Sequence, residues 1–441
     1  FMRSAARSTP SGKRLYLFAV AVLVAPATAF NPALAVRPLG IDVSYWQGVR
    51  SQQDWNDAYA SGRVFAFIRA THYSTIGESE AHGSPDPYFQ DNIAFARSAG
   101  MLAGAYHYAR PDLRTPAVEA EFFLTYARPY ITPGYLPPML DMEGDTSGPV
   151  GAANHSDWAN QWMDYVSDRT GVSSMVYCNY TWAHNYLDAI DTSHPLVFAR
   201  WSCPADVHTD VPRLSNGSVA STWPWPTWTF WQYCGGPVPG FPGSIDLDVF
   251  NGTMAQLQAM VITATAVITV SPVSLSQTVT EGQDAASQTF TVRNTGTGKM
   301  PYDILASSTG NWLSVDPTYG SCTGETDTIT VRYLSSNLLA GVRTGTITVN
   351  SSLATNPAQT ITVTLTVIPP PIPGDLNHDG YVNDQDLALF SGCMTGPGNG
   401  PPAAGCEEAD INTDNDIDQA DFGLMQRCFS GTVRADPNCA N

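Results

Sequence analysis

The stretch Pro137-Pro-Met-Leu-Asp-Met-Glu143 places two acidic side chains after a short apolar run. Residues on a strand alternate between its faces, so Asp141 and Glu143 point the same way, with Cα atoms roughly 6.5 to 7 Å apart. Because the apolar residues come first, the acids are expected at the carboxyl end of the strand. Barrel enzymes collect their catalytic groups at that end. The stretch therefore predicts the rim of a catalytic pocket.

Short apolar runs alternate with longer helical stretches from residue 39 to residue 252. This alternation predicts a parallel sheet, and its eight runs are typical of an α/β barrel. The intervals shorten after Tyr177, which indicates that the later helices are reduced and the TIM-like barrel is incomplete. The predicted strands are residues 39–43, 64–70, 102–108, 138–140, 174–177, 196–199, 229–232 and 245–250.

Acidic residues also stand in two other predicted strands, Asp42 in the first and Asp246 with Asp248 in the last. Packed negative charges in a partly dry cleft raise the pKa of at least one carboxyl, which then stays protonated near neutral pH. Glu143 has the longest reach and is expected to donate that proton. A single acidic pair is more often a solvated turn, so the convergence of several strands is what favours a catalytic role.

Aromatic residues accompany these acids at the strand ends, among them Trp46, Tyr106, Tyr108 and Trp231. Flat rings stack on pyranose faces, and tyrosine hydroxyls can orient an acetamido group. Each ring taken alone fits the barrel core equally well. Together with the acids they predict a carbohydrate site, in which these four residues and Asp248 contact the substrate.

Seven stretches match a known family in order and spacing, namely Gly40-Ile-Asp-Val-Ser-Tyr-Trp-Gln47, Phe67-Ile-Arg-Ala-Thr71, Asp86-Pro-Tyr-Phe89, Gly104-Ala-Tyr-His-Tyr108, Leu140-Asp-Met-Glu143, Trp231-Gln-Tyr233 and Asp246-Leu-Asp-Val-Phe-Asn-Gly252. Through these stretches, residues 39–252 resemble glycoside hydrolase family 25, the Chalaropsis-type lysozymes. The resemblance implies cleavage of the β-1,4 bond between N-acetylmuramic acid and N-acetylglucosamine in bacterial peptidoglycan, without a cofactor. It implies that Glu143 is the acid, that Asp141 supports an acetamido nucleophile of the substrate, and that Asp42 and Asp246 shape the pocket.

The chain departs from the family pattern after the second predicted strand. The family usually has Lys-Ala-Thr-Glu-Gly there, whereas this chain has Arg69-Ala-Thr-His-Tyr73, followed by an expected loop at residues 74–84. The replacement of an acid by His72 leaves open a preference for chitin-like polymers of N-acetylglucosamine. A non-catalytic glycan-binding protein is the other alternative, and the intact Asp141 and Glu143 argue against it. Retention and inversion are both open, and we favour substrate-assisted retention.

After residue 252 the composition shifts to Thr, Val and Ser with period-two alternation. This pattern predicts an immunoglobulin-like β-sandwich at residues 267–368, after a catalytic barrel at residues 36–258. Its segment Asn311-Trp-Leu-Ser-Val-Asp-Pro317 resembles the BACON modules that accompany secreted carbohydrate enzymes. Glycan attachment and simple spacing are both open for this module. A proline-rich linker at residues 369–374 separates it from the last unit.

Residues 375–441 contain a weak duplication, Asp375-Leu-Asn-His-Asp-Gly380 and Asp410-Ile-Asn-Thr-Asp-Asn415, each followed by an apolar helical stretch. Hard oxygen ligands at this spacing suit Ca²⁺, and Asn415 can replace the turn glycine because Asn tolerates left-handed backbone. The segment resembles a type I dockerin, which implies docking to a cohesin-like partner on a scaffold or cell surface. The predicted ligands of two structural sites are Asp375, Asn377, Asp379, the Tyr381 carbonyl and Asp386, and then Asp410, Asn412, Asp414, the Asp416 carbonyl and Asp421.

Net charge and cysteine content restrict the class of ligand and the cellular compartment that we expect for this protein. A formal net charge of -19 disfavours nucleic-acid binding. Residues 1–35 have the basic, apolar and small-residue order of a signal peptide, so we expect a secreted or surface-attached monomer, with an uncleaved membrane anchor as the alternative. The eight cysteines fit an oxidising compartment. The expected pairs are Cys203 with Cys234, Cys393 with Cys406 and Cys428 with Cys439, with Cys322 free.

Overall fold

The computed structural model describes residues 36–76 and 80–441, which form a barrel, a β-sandwich and a small helical module. The predicted signal peptide at residues 1–35 lies outside the described residues. Within the described ranges, every helix is too short or too polar to cross a membrane.

Nine strands form the barrel sheet in the order β1-β9-β8-β7-β6-β5-β4-β2-β3, and pairing of β1 with β2 closes it. All eight predicted strands are present, so the α/β barrel is confirmed. The strands are β1 (Leu39–Val43), β2 (Arg63–Ile76), β3 (Glu80–Pro85), β4 (Leu102–Tyr108), β5 (Met139–Met142), β6 (Met175–Asn179), β7 (Leu196–Ala199), β8 (Phe230–Val238) and β9 (Phe241–Phe250).

The prediction of a parallel sheet is wrong for β9, which is antiparallel to both β8 and β1. Only Pro239 and Gly240 separate β8 from β9, a connection far too short for the crossover that parallel strands need. Gly240 has φ +86°, and a Cβ there would meet the backbone of Asp54. The tight turn therefore reverses the last strand.

The predicted loop at residues 74–84 is also wrong, because strand pairing continues through most of it. The strand β2 extends to Ile76 and pairs antiparallel with β3, with Thr71 opposite Pro85 and His72 opposite Ser84. The described residues of this segment thus form two paired antiparallel strands.

The helices outside the barrel lengthen up to α4 (His155–Thr170) and are short after Tyr177, as predicted. The helix α4 begins after Asn154, whose side chain accepts from the Asp157 N–H, and ends at Gly171 with φ +70°. In the described chain, β7 and β8 are joined by residues 200–229 without a helix. The helices are α1 (Gln52–Ala60), α2 (Phe89–Ser98), α3 (Pro116–Ala127), α4 (His155–Thr170), α5 (Tyr180–Tyr186) and α6 (Met254–Ala259).

Strand alternation sorts the apolar residues into two layers. Inward side chains such as Phe67, Met139 and Phe230 fill the barrel interior. Outward side chains pack against helices, where Trp158 and Trp162 of α4 are fully buried. Towards the carboxyl ends of the strands the inward positions become polar, and this change opens the barrel into a cavity.

The second module is the predicted β-sandwich, with sheets in the orders β10-β12-β16-β14 and β11-β18-β17-β13-β15. Its core includes Trp312, whose ring stacks on Tyr333 with centroids 6.2 Å apart. The strands are β10 (Ile268–Ser271), β11 (Ser274–Thr280), β12 (Gln288–Asn294), β13 (Met300–Ser308), β14 (Leu313–Asp316), β15 (Tyr319–Cys322), β16 (Thr326–Tyr333), β17 (Gly341–Asn350) and β18 (Ala358–Ile368).

The sandwich packs directly on the barrel. Lys299 Nζ lies 2.6 Å from the Asp168 carboxylate on α4. Leu353 is buried in the outer core of the barrel, and its carbonyl accepts from the N–H groups of Thr265 and Ala266. These contacts fix the connection between the two modules.

The C-terminal module has a small core of its own, built from Val382, Phe390, Ile417 and Met425. Its helices are α7 (Asp384–Cys393) and α8 (Gln419–Cys428). The three expected disulfides are all present, and Cys322 is free and buried, as is Cys178.

Candidate active site

A cavity of about 730 Å³ opens at the carboxyl ends of the parallel barrel strands. Seven residues predicted for the catalytic or substrate site line it, and two do not. The residues brought together are Asp42, Trp46, Tyr106, Tyr108, Asp141, Glu143 and Asp246.

The acids converge because the inward positions of strands around the closed barrel meet at this rim. On β5, Met139 points into the barrel core and Asp141 follows on the same face, with Glu143 just past the strand. On β1 and β9, Asp42 and Asp246 are direct antiparallel partners. The reversal of β9 therefore brings the middle of that strand, rather than its end, to the cavity.

Asp248 does not line the cavity, although the sequence predicted that it contacts the substrate. It pairs with Gly40, one inward position deeper than Asp42, and is only 1% exposed. Burial raises the pKa of Asp248 to about 8, and the charge of Asp246 adds to this rise. Asp248 is a buried carboxyl behind the site.

Trp231 is also outside the cavity, although the sequence predicted that it contacts the substrate. Phe230 and Gln232 occupy the inward positions of β8, so Trp231 between them points outward. Its ring is fully buried beside Trp228, and its indole N–H donates to the Arg200 carbonyl at 2.8 Å. Trp231 belongs to the outer core.

Burial raises the pKa values of all four carboxyls at the cavity. Desolvation is the largest cause at Asp42, Asp141, Glu143 and Asp246. Charge repulsion adds to the rise at three of them: Asp248 and then Asp246 raise the pKa of Asp42, and Glu143 raises that of Asp141. At Glu143 the hydrogen bond from Tyr177 lowers the pKa, and the charge of Asp246 raises it. Arg69 lowers the pKa of Asp141. The cluster therefore retains protons at a pH where free carboxyls are ionised.

Asp141 and Glu143 differ in their access to the cavity. Asp141 is buried, and within the described part of the chain its Oδ1 atom has no hydrogen-bond partner. Glu143 is exposed to the open cavity, although protein atoms crowd it from most sides, and its Oε2 lies 3.3 Å from the Tyr177 hydroxyl. Asp141 can therefore accept a hydrogen bond from a bound molecule, and Glu143 can deliver a proton to it.

Sequence reasoning did not single out Arg69, Tyr177 or Gln232, which also line the cavity. Arg69 pairs with Asp86 at 3.3 Å, and its guanidinium lies over the Tyr45 ring. The Gln232 amide accepts from Tyr177 at 3.0 Å and donates to Asp42 at 2.7 Å. Each of the three is an inward residue near the end of a predicted strand, and that position was the signal available in the sequence.

Exposed aromatic rings flank the mouth of the cavity. Trp46 is 75% exposed and Trp201 is 55% exposed, and both line the opening. The Trp46 ring lies 4.3 Å from that of Tyr45, which the Arg69 guanidinium covers. Flat apolar faces beside a polar cleft suit the binding of sugar rings.

His72 lies behind this rim, outside the residues that line the cavity. Its ring is stacked with that of Tyr45, with centroids 6.4 Å apart. Burial, followed by the charge of Arg69, lowers the pKa of His72 to about 4. The imidazole is therefore neutral at neutral pH and adds no charge to the cavity.

The two predicted calcium loops of the C-terminal module each gather carboxylates. Three carboxylate oxygens lie within 4.8 Å of one another in each loop. Gly380 and Asn415 occupy the turn positions with φ values of +87° and +74°, so Asn415 adopts the left-handed backbone expected of it. The carboxylates are those of Asp375, Asp379 and Asp386 in the first loop, and of Asp410, Asp414 and Asp421 in the second.

Side-chain amides complete these loops. The Asn377 and Asn412 oxygens accept the N–H groups of Asp379 and Asp414, each at 3.0 Å. This oxygen-rich donor set fits Ca²⁺, which takes carboxylate, carbonyl and amide oxygens. The contributions of the Tyr381 and Asp416 carbonyls stay predictions.

Three family models match the chain in succession. The model of the glycosyl hydrolases family 25 matches residues 41–240. The viral BACON domain model matches residues 267–367, and the dockerin type I domain model matches residues 373–430. The order is that of the barrel, the sandwich and the C-terminal module.

Curated relatives and solved structures are similar to the barrel. Lysozyme M1 of Streptomyces globisporus is 30% identical over 233 residues, which are 50% of this chain and 70% of the relative. An N,O-diacetylmuramidase of Arthroderma benhamiae is 29% identical over 246 residues, 54% of this chain and 92% of the relative. The bacterial lysozyme structure from Streptomyces coelicolor covers 52% of this chain and 98% of its own, at 28% identity and a TM-score of 0.40.

Proposed function

This chain belongs to the glycosyl hydrolases of family 25, and from that membership we propose that it is a peptidoglycan-hydrolysing muramidase. The bond cleaved is the β-1,4 linkage between N-acetylmuramic acid and N-acetylglucosamine. The names of two relatives, a lysozyme and an N,O-diacetylmuramidase, support this substrate. The observation that carries the proposal is the pair Asp141 and Glu143, desolvated together at the base of an open cleft.

Glu143 is the general acid in this proposal. Its side chain reaches the open cavity, where a glycosidic oxygen would lie, and burial raises its pKa. Asp141 and Glu143 repel each other, so the pair keeps one proton over a wide pH range. Protonation of the leaving oxygen by such an acid typically accelerates cleavage by about 10² to 10⁴.

Asp141 is the residue that supports the nucleophile. Its unpartnered Oδ1 can accept the N–H of the substrate's 2-acetamido group. That hydrogen bond would orient the acetamido oxygen towards the anomeric carbon and stabilise the positive charge that develops as it attacks. The substrate-assisted route then gives net retention, outside the carboxyl-spacing rules for direct displacement.

The remaining residues of the cavity bind the sugar and tune the acids. Tyr106 and Tyr108 present hydroxyls beside Asp141, and Trp46 presents an exposed ring at the mouth. Asp42 and Asp246 form the opposite wall. Asp42 also accepts a hydrogen bond from the Gln232 amide, which links this wall to β8.

Digestion of purified peptidoglycan, with product masses measured after borohydride reduction, tests this proposal. We expect reduced N-acetylmuramic acid at the new ends, and an initial β anomer by NMR. Reduced N-acetylglucosamine ends would contradict the muramidase, and an initial α anomer would contradict retention. Purified chitin, digested in parallel, tests the alternative that the neutral His72 favours chitin-like polymers of N-acetylglucosamine. Binding without turnover on either polymer would indicate a glycan-binding protein.

The C-terminal module extends the proposal from chemistry to location. Its loops would hold two structural Ca²⁺ ions, which supply the charge that brings their carboxylates together. The dockerin match supports docking to a cohesin-like scaffold or cell-surface partner. We therefore propose an extracellular or surface-attached enzyme, monomeric in its own right.

A further inference from the structure

The proton shared by Asp141 and Glu143 must sit on Glu143 for the proposed reaction, yet burial alone favours the other carboxyl. Asp141 is the more deeply buried of the two, and burial disfavours the charged form. Arg69 partly opposes this preference by stabilising ionised Asp141. A further contact at Glu143 is needed to decide the position of the proton.

Hydrogen-bond chemistry fixes the orientation of the Gln232 amide. The indole N–H of Trp201 is only a donor, and it lies 2.8 Å from Gln232 Oε1, so that atom is the amide oxygen. The amide nitrogen then faces Asp42 Oδ2 at 2.7 Å, where it donates. The side chain is 4% exposed and held from both ends.

The Tyr177 hydroxyl lies between two acceptors but carries one proton. It is 3.0 Å from Gln232 Oε1 and 3.3 Å from Glu143 Oε2. The amide oxygen can only accept, so any hydrogen bond with Gln232 uses the proton of Tyr177. What then remains for Glu143 is a lone pair of the Tyr177 oxygen, and a protonated Glu143 can donate to it.

We propose that Gln232 is a positioning residue that acts through Tyr177 to hold the shared proton on Glu143. With Glu143 protonated, two hydrogen bonds run in sequence, from Glu143 to Tyr177 and from Tyr177 to Gln232. With Glu143 ionised, Tyr177 turns its proton to the carboxylate and the bond to Gln232 is lost. Gln232 thus stabilises the acid before proton donation, and this inference rests on the proposed role of Glu143.

Other groups face Glu143, and their effects must be separated from that of Gln232. Besides Glu143 and Tyr177, the titratable and charged groups that line the same cavity are the carboxyls of Asp42, Asp141 and Asp246, the hydroxyls of Tyr106, Tyr108, Tyr180 and Tyr186, and the guanidinium groups of Arg69 and Arg200. Gln232 also touches Asp42 directly. The test must therefore distinguish an effect carried by Tyr177 from one carried by Asp42.

A double-mutant cycle in the full chain makes this distinction, with Gln232→Leu, Tyr177→Phe and their combination. The pKa of Glu143 is read from the NMR titration of its 13C-labelled carboxyl, assigned with Glu143→Gln. We expect Gln232→Leu to lower this pKa by about one unit, because Tyr177 then donates to the carboxylate throughout. In the Tyr177→Phe background the same change should leave the pKa within about a third of a unit.

An equal decrease in the pKa of Glu143 in both backgrounds would show that the effect comes from Asp42 or from the fold, and would overturn the proposal. No decrease in either background would also overturn it. Gln232→Met, of similar volume, replaces Gln232→Leu if the latter loses the native circular dichroism spectrum. The NMR reading needs no substrate, so it stands even if the protein fails to cleave peptidoglycan. If cleavage occurs, the alkaline limb of kcat/KM should move to lower pH by the same amount in Gln232→Leu.

Discussion

Two regions of this molecule gather carboxyl side chains in different surroundings. In the barrel cavity, carboxyls come from strands far apart in the sequence and are desolvated by the barrel wall. In the C-terminal loops, carboxyls come from short consecutive segments and accept backbone N–H groups, as Asp375 does from Gly380 at 2.8 Å. The cavity therefore retains protons, whereas the loops gather carboxylate oxygens in an arrangement that suits a cation. Surroundings, rather than residue type, separate a proton donor from a metal ligand.

The largest effect expected from this comparison is the loss of catalysis in Glu143→Gln. The amide keeps the size of the side chain but cannot donate a proton to a leaving oxygen, so kcat should fall by about 10² to 10⁴. Release of soluble fragments from purified peptidoglycan measures the change. Glu121→Gln, on the outer surface of α3, is the matched control and should retain full activity. Full activity in Glu143→Gln would place the acid elsewhere.

Calcium removal should unfold the C-terminal module and spare the barrel. Without the cation, the clustered carboxylates in each loop repel one another, and the small core of this module cannot compensate. Calorimetry of the full chain should lose one unfolding transition on chelation, or in Asp386→Ala combined with Asp421→Ala, while peptidoglycan hydrolysis continues.

The control for this experiment is Asp436→Ala, which removes an acid of the same module outside both carboxylate clusters. It should keep the transition and its dependence on calcium. A transition that survives chelation in the unmodified chain would show that the loops fold without a metal.

Asp248→Asn should flatten the pH dependence of barrel stability. In the folded protein the pKa of Asp248 is raised from 3.8 to about 8, so between these values the native state binds a proton that the unfolded chain has lost. The free energy of unfolding then falls as pH rises, by up to about 1.4 kcal/mol per pH unit. Urea unfolding across this range should show a shallower decline in the variant. Asp188→Asn, at an exposed position, should follow the wild-type slope.

The smallest effect concerns the two tryptophans that the structure separates. Trp46→Ala removes an exposed ring at the mouth of the cavity, and the loss of about 1 kcal/mol of stacking should raise KM about fivefold. Trp231→Phe should leave KM unchanged and lower Tm, because that ring is part of the outer core. Steady-state kinetics with soluble peptidoglycan fragments measure both. An increase in KM for Trp231→Phe would show that this residue contributes to substrate binding.

Local pattern was sufficient for much of the molecule. Period-two alternation predicted that Asp141 and Glu143 share a face, and loop spacing predicted the carboxylate clusters and the left-handed Asn415. These features depend on residues that are neighbours in the chain. Backbone geometry over a few residues determines them, so the sequence alone indicates them.

Only the tertiary structure decided which side chains meet and how much water remains between them. A two-residue turn reversed β9, which placed Asp246 at the cavity and Asp248 behind it. Pairing between distant strands joined Gln232 to Asp42 and Tyr177. Desolvation depends on atoms from every wall of the cavity, and no local pattern contains it. The sequence alone thus indicated Asp141 and Glu143 as the acid pair, whereas their protonation depends on the closed barrel.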